Sequence, residues 1–538
     1  MAGAPVSDAA AATGPRPTGL RLWLLVGFAT LATMAYDFTW TVVSVALPHM
    51  QGTFSTTSDQ IAWVLIGFMV GSATMTACTG WLSTRFGRKH LFLFSTAGYT
   101  LTLIGCGMSE TLIEASVWRF AQGLVGAALL PLGQTIVVDA FPPERHGKAT
   151  SIWGVGVMVG NIAGPIGGGF ILEHYAWPWV FYVTVPVGIV AFLGVWLFVP
   201  SVPGNRDTRF DWFGFVTLVG GIGMLQLMLA RAEREDWFTS PEIVVEAMIA
   251  GLLLYLFAVH TIFARKPFVD RSLFLDRNFV TGSAIVAVIG ALIVLPAFLL
   301  PLMLQQVGGF PPVETGRILI WRGSGVLLGL FLVGRIAHLF EPRAMVAFGL
   351  LVMAVPSYFM AQWTVELQPF QVASTNFIQG FGSSFIWVPI STLTLSGVAK
   401  RLQDQAYALF FLVFEIGSSI GVALIVGRHI SDIQTNHAVL TEHINPFNEL
   451  FRYADVASSW AMDSPQGLAA LEAEINRQSV MIAYNNAFFA TFVLSLALIP
   501  VVLLFRRTGK AEHAESEADD AVTAQQGGAP LAPQVDAP

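Results

Sequence analysis

The sequence predicts an all-α integral membrane protein with fourteen transmembrane helices. Three observations predict it: sparse and unevenly spread charge, repeated uncharged runs of membrane-spanning length, and a lopsided division of Lys and Arg between alternate loops. Of the 538 residues, 54% are hydrophobic and only 12% charged, against about 25% charged in soluble domains. The shortfall is concentrated, since Leu22–Tyr36, Leu91–Gly107 and Val280–Leu304 contain no Lys, Arg, Asp or Glu. A bilayer core of about 30 Å takes about 20 apolar residues of helix.

The runs fall at 22–47, 61–82, 91–108, 112–138, 149–172, 179–199, 211–230, 242–263, 279–305, 316–338, 344–361, 370–396, 406–427 and 485–505. With the N-terminus inside, twenty of the 28 Lys and Arg lie in inside segments and five outside: Arg231, Arg234, Arg428, Arg452 and Arg477. Arg119, Arg317 and Arg322 lie within spans. This bias obeys the positive-inside rule, so an inner-membrane protein with both termini cytoplasmic is expected. Residues 1–20 lack the charged region and short apolar core of a signal peptide and read as a cytoplasmic tail before an uncleaved helix. Residues 508–538, rich in Ala, Glu, Asp and Pro, read as a disordered cytoplasmic tail. Cys78 and Cys106 fall near opposite membrane faces, so no disulfide is expected.

One outside segment is long. Residues 428–484 form a polar stretch of 57 residues, expected to be a periplasmic loop. Near its end Leu468, Leu471 and Ile475 stand at helical spacing, which predicts a short amphipathic helix. Packing on its own transporter is the plainest use for such a loop.

An internal repeat organises the spans. Gly80-Trp-Leu-Ser-Thr-Arg-Phe-Gly-Arg-Lys89 aligns with Gly334-Arg-Ile-Ala-His-Leu-Phe-Glu-Pro-Arg343, matching at Gly80/Gly334, Leu82/Ile336, Phe86/Phe340 and Lys89/Arg343. The offset of 254 residues suits eight helices rather than six. Two six-helix halves, 21–200 and 279–507, with a two-helix insertion and its loops at 201–278, account for it. Parallel repeats about an axis normal to the membrane are the major facilitator architecture, with substrate near the midplane between halves.

Motifs agree. The loop at Gly80, Leu82, Arg85, Gly87, Arg88 and Lys89 resembles the major facilitator signature G-x-L-a-D-R-x-G-R-K, with Thr84 in place of the acid. Arg119-Phe-Ala-Gln122-Gly resembles the R-x-x-Q-G motif associated with proton coupling. Gly160, Gly164, Pro165, Gly168 and Gly169 match the antiporter signature G-x-x-x-G-P-x-x-G-G. Small residues every fourth position let helices approach closely, and a proline removes a backbone donor and bends the helix. The insertion, with Asp211-Trp-Phe-Gly214 and Glu235-Asp-Trp-Phe-Thr-Ser240, resembles the extra helical pair of the fourteen-span drug:proton antiporters typified by EmrB. That resemblance covers 21–507. It implies proton-coupled efflux of amphipathic or toxic small molecules, with a periplasmic membrane-fusion adaptor and an outer-membrane channel as partners in Gram-negative cells. The external stretch is then a candidate docking surface, although relatives without adaptors also carry loops there.

Ionisable residues inside spans are functional candidates because burying them is costly. Asp37 and Arg119 are expected at a shared depth, roughly 20 Å above the inner face at 1.5 Å per residue, and the family places their helices together. A proton-coupling Asp37–Arg119 pair is therefore expected, with a permanent structural salt bridge as the alternative. Thr41 and Ser44 share a stripe with Asp37, and Gln122 lies a turn from Arg119. Relatives usually carry the acid nine residues before the proline of V-A-L-P, where this chain has Thr39; Asp37 stands two residues earlier, about 200° around the helix. Glu415, among the aromatics of Phe410-Phe-Leu-Val-Phe414, competes for the proton role, with Arg322 as its expected partner. A neutral, hydrogen-bonded carboxyl at a helix interface is the alternative there. Thr41, Ser44, Gln122 and Arg322 are the expected cavity residues.

Other functions fit less well. No Ser/His/Asp set, HExxH, GxxxxGK[ST] or CxxC motif is present, so no enzyme activity, metal, cofactor or nucleic-acid partner is expected. A dedicated exporter of one endogenous compound, such as a fatty acid or siderophore, stays open beside multidrug efflux.

Overall fold

The computed structural model describes residues 18–201, 204, 210–264, 267–399, 402–444, 460, 464–503 and 505, and among them it is helical with no strand. Fourteen long helices follow in order. The first half comprises α1 (Gly19–Phe54), α2 (Trp63–Phe86), α3 (Arg88–Gly107), α4 (Leu112–Asp139), α5 (His146–His174) and α6 (Trp179–Phe198). Then come α7 (Trp212–Arg231) and α8 (Pro241–Phe263). The second half comprises α9 (Arg277–Gln306), α10 (Pro312–Ile336), α11 (Pro342–Met360), α12 (Pro369–Leu395), α13 (Gln403–Glu442) and α14 (Pro465–Val502). Twelve are long and apolar enough to cross a membrane by length and composition. The other two are α3, which opens on Arg88-Lys-His90, and α12, which carries Asn376, Gln379 and many hydroxyls. Both pack within the bundle.

The helix pairing exposes the repeat. In the first half α1 packs on α5, α2 on α4 and α3 on α6; in the second α9 packs on α13, α10 on α12 and α11 on α14. Each pair maps onto its counterpart eight helices later. The halves meet along two equivalent seams, α5 with α10 and α2 with α13. The inserted pair breaks this symmetry. Helix α7 packs on α8, α2 and α13, and so lies against one seam only.

The helix ends follow local chemistry. Asp211 caps α7 by accepting the Gly214 N–H at 2.9 Å, and Asp276 caps α9 at Phe279 N–H, 2.7 Å. Such caps satisfy donors that a helix start leaves orphaned. Gly87 joins α2 to α3 at φ 86°, a left-handed region that a side chain would resist.

The expected periplasmic loop is different. Helix α13 runs on to Glu442 and α14 begins at Pro465, so both ends of 428–484 are helical extensions of the flanking spans. Leu468, Leu471 and Ile475 belong to the first turns of α14 rather than to a separate short helix. The reason is local. Polarity alone suggested a loop, but from Arg428 to Glu442 there is no Gly or Pro to stop the helix. The two extensions pair, with His437 Nε2 2.9 Å from Glu472 and Asn436 Nδ2 donating to Ser479 O at 3.4 Å. The tails before 18 and after 505, and residues 445–459 and 461–463, lie outside the described residues.

Candidate functional site

The antiporter glycines seat α5 on α1. A Cβ on Gly160 would lie 3.0 Å from Met34 Cγ, one on Gly164 would lie 2.9 Å from Phe38 O, and one on Gly168 would lie 2.7 Å from a Val42 methyl. Gly169 is different, since its Cβ would meet nothing within 4 Å. Helix α5 continues through Pro165. This close approach sets Asn161, the polar residue within the glycine run, beside the Asp37 carboxyl. Thr41 Oγ1 donates to Asp37 O at 3.2 Å and Phe38 O at 3.1 Å, and Ser44 Oγ to Thr41 O at 2.7 Å. Both hydroxyls thus bond their own helix.

Arg119 lies elsewhere. Its side chain is fully buried between α4 and α2. Nη1 donates to Gln122 Oε1 at 2.6 Å, Nε to Val64 O at 3.3 Å, and the guanidinium sits 4.3 Å above the Phe68 ring. The expected Asp37–Arg119 pair is not formed among the described residues. Helical phase explains the correction. Asp37 faces α5, whereas the Thr39 side chain, two residues on, reaches Tyr99, which borders Arg119. The side of α1 that faces Arg119 carries Tyr36 and Thr39, with the Tyr36 ring packed on Phe68.

Glu415 reaches across the α2–α13 seam. Its Oε1 accepts from Ser72 Oγ at 3.0 Å, and Ser72 Oγ lies 2.9 Å from Tyr36 OH. The Tyr36 ring packs at 5.5 Å on both Phe68 and Tyr99. Glu415 Oε2 is buried without a hydrogen-bond partner. Arg322 is not the partner it was expected to be, because it is held inside the second half: Nη1 donates to Gln379 Oε1 at 2.7 Å and Nη2 to Ile293 O at 2.6 Å. Arg119 and Arg322 are thus treated alike, each bound to one glutamine and one main-chain carbonyl.

The loop that carries Gly80 to Lys89 builds a second cross-seam contact. Arg88 Nε donates to Asp404 Oδ2 of α13 at 2.8 Å, and Nη1 pairs with Asp139 at the end of α4. Gly80 packs on Gln405, whose Cβ would lie 2.8 Å from an added methyl. Lys89 Nζ donates to Trp196 O at 2.7 Å, and Thr84 Oγ1 to Gly80 O at 2.9 Å. The acid missing at 84 is therefore matched by acids from two other helices. This end of the bundle, with Arg88, is called the basic end below.

Asn161, Ser72, Tyr36, Asp139, Asp404 and Gln405 were not singled out from the sequence. Asn161 carried a signal, being polar within a glycine run. The others are ordinary polar residues whose meaning depends on which helix faces which.

Two pseudo-symmetric helical halves, with ionisable groups placed where they meet, are the arrangement of a membrane transporter. Residues 29–422 match the profile of the Major Facilitator Superfamily. The multidrug export protein EmrB of Haemophilus influenzae is 31% identical over 93% of this chain and 98% of its own length. EmrB of Escherichia coli is 31% identical over 90% and 95%, and the fatty acid resistance protein FarB of Neisseria gonorrhoeae 30% over 86% and 92%. The fold is similar to that of the human organic anion transporter MFSD10 (TM-score 0.57, 14% identity, 88% of this chain and 99% of that one). It is also similar to the proton:xylose symporter XylE (0.57, 12%, 89% and 96%). The chain belongs to the major facilitator superfamily, among its EmrB-like multidrug exporters.

Proposed function

We propose that the chain is a proton-coupled exporter of amphipathic or toxic small molecules in the inner membrane, with both termini cytoplasmic and Glu415 carrying the proton. The observation that carries this reading is the Glu415–Ser72 contact. A carboxyl of one half bonds the other half through one oxygen and leaves the second buried and bare. Gaining a proton changes what that oxygen can do, from accepting only to donating. Titration there bears directly on whether the halves hold together at this seam. The basic end is then cytoplasmic, and the Arg88–Asp404 bond closes the cytoplasmic side. Asp37, beside Asn161 in the antiporter motif, is a second acid, suited to a cationic substrate group. Arg119 and Arg322 fix Gln122 and Gln379 inside their own halves, Thr41 and Ser44 are proposed to line the substrate path, and the paired extensions of α13 and α14 offer a surface to a periplasmic adaptor leading to an outer-membrane channel.

The test is pH-gradient-driven export from proteoliposomes. Glu415→Gln should abolish export while the protein still inserts and binds substrate. Normal pumping by Glu415→Gln, with loss in Asp37→Asn, would move the proton to Asp37. The similarity to FarB supports a second reading, a dedicated exporter of one compound such as a fatty acid. Competition among chemically unrelated substrates separates the two, since a dedicated exporter is inhibited only by close analogues.

A further inference from the structure

The inserted helix pair lies against one of two equivalent seams, and its return segment reaches both halves there. Gln405, the third residue of α13, uses both ends of its amide on this segment. Its Nε2 donates to Phe268 O at 2.9 Å and its Oε1 accepts from Asp270 N–H at 3.1 Å. The Phe268 ring stacks on Trp81 of α2, centroids 6.4 Å apart and 25° between planes, while Phe210 meets Trp81 edge-on at 4.5 Å. Phe268, Val269 and Leu273 are all at most 3% exposed.

The segment is also fixed to the inserted helices themselves. Asp211 accepts from Phe268 N–H at 2.9 Å, caps α7 at Gly214, and meets His260 Nε2 of α8 at 2.9 Å. One carboxylate thereby ties the starts and ends of the pair to the segment that leaves it. The anchors adjoin the basic-end closure, because Gln405 follows Asp404 and Trp81 follows Gly80.

From this we infer that residues 267–275 are a strap across the α2–α13 seam, anchored on Gln405 in one half and Trp81 in the other, which favours the state closed at the basic end. The inference rests on the proposed transport cycle. Opening the basic end parts α2 from α13, and the strap cannot stay on both. Either the two Gln405 bonds or the Trp81 stack must break. The insertion is then a conformational bias acting on one seam, not two neutral helices at the periphery.

The experiment measures the basic-end distance in reconstituted full-length protein. Spin labels at His90→Cys on α3 and Leu339→Cys after α10, with Cys78 and Cys106 replaced, are read by pulsed electron resonance with and without a proton gradient. Gln405→Ala should raise the open-to-closed ratio on the order of ten-fold, as expected from losing two hydrogen bonds of ordinary strength. Trp81→Ala should do the same from the other side, and serves if the first variant fails to fold. A ratio unchanged in a folded variant overturns the strap while leaving the transport reading intact. A wild-type distance that never changes with the gradient overturns both.

Discussion

Glu415 and Ser72 meet at 3.0 Å across the boundary between the two halves, one on α13 and the other on α2. Tyr36 of α1 stands 2.9 Å behind the serine. When Ser72 donates to Glu415, Tyr36 is left to donate to Ser72, so both hydroxyl protons point toward the carboxylate.

Ser72→Ala should therefore weaken coupling without touching the acid. Substrate-induced proton release from purified protein is expected to fall several-fold, and Ser72→Thr, which keeps the hydroxyl, should restore it. Full proton release by the alanine variant would show that the serine has no part in coupling.

The antiporter glycines should differ sharply in tolerance. Gly164→Val places atoms where Phe38 O and Thr41 already sit, and is expected to cost about 2–4 kcal/mol, the upper range for overpacking a tight interface. Gly169→Ala faces open space and should be neutral or stabilising by up to about 1 kcal/mol. Thermal unfolding followed by size-exclusion chromatography distinguishes them, and equal losses at both sites would contradict the seating described above.

Arg119 and Asp37 should behave as independent sites. Removing Arg119 takes the charged donor from Gln122 Oε1 and empties a fully buried place beside Phe68, so Arg119→Ala should destabilise by about 2–4 kcal/mol. Because Asp37 faces α5 instead, combining it with Asp37→Asn should add within about 0.5 kcal/mol. A coupling energy well above that would restore the direct ion pair.

Asp404→Ala should loosen the closed end. Ser151, buried and 3.0 Å from where a methyl on Gly334 would lie, makes a sensor. A Ser151→Cys thiol in a background lacking Cys78 and Cys106 should react with maleimide at least five-fold faster once Asp404 is removed. Unchanged reactivity would mean that Asp139 alone suffices to hold Arg88.

Much of the architecture was legible because membrane helices declare themselves by length and charge, and Gly80/Gly334 revealed the repeat without any structure. The glycine run was legible too, since close helix approach demands small residues at fixed spacing. Side-chain partners were not. Depth along a helix can be counted, which put Asp37 and Arg119 at one level, but the facing direction of Asp37 depends on how α1 sits against α4 and α5. Arg322 bonds Gln379 and Ile293 O for the same reason, a choice set by tertiary packing. Polarity also misled at 428–484, where hydropathy marks the end of the apolar run but not of the helix.

Helix α13 joins features that were described separately. It carries Asp404 and Gln405 at one end, Glu415 within the bundle, and its extension to Glu442 at the other, in 40 uninterrupted residues, or about 60 Å. In the transport cycle proposed above, it acts as a lever with its fulcrum at Glu415. Glu442 lies about 40 Å along the axis from Glu415, so a tilt of about 10° at that level would sweep the tip through about 7 Å. On that proposal, a proton arriving at Glu415 is felt at the far end of the bundle, along the same rod that latches the near one.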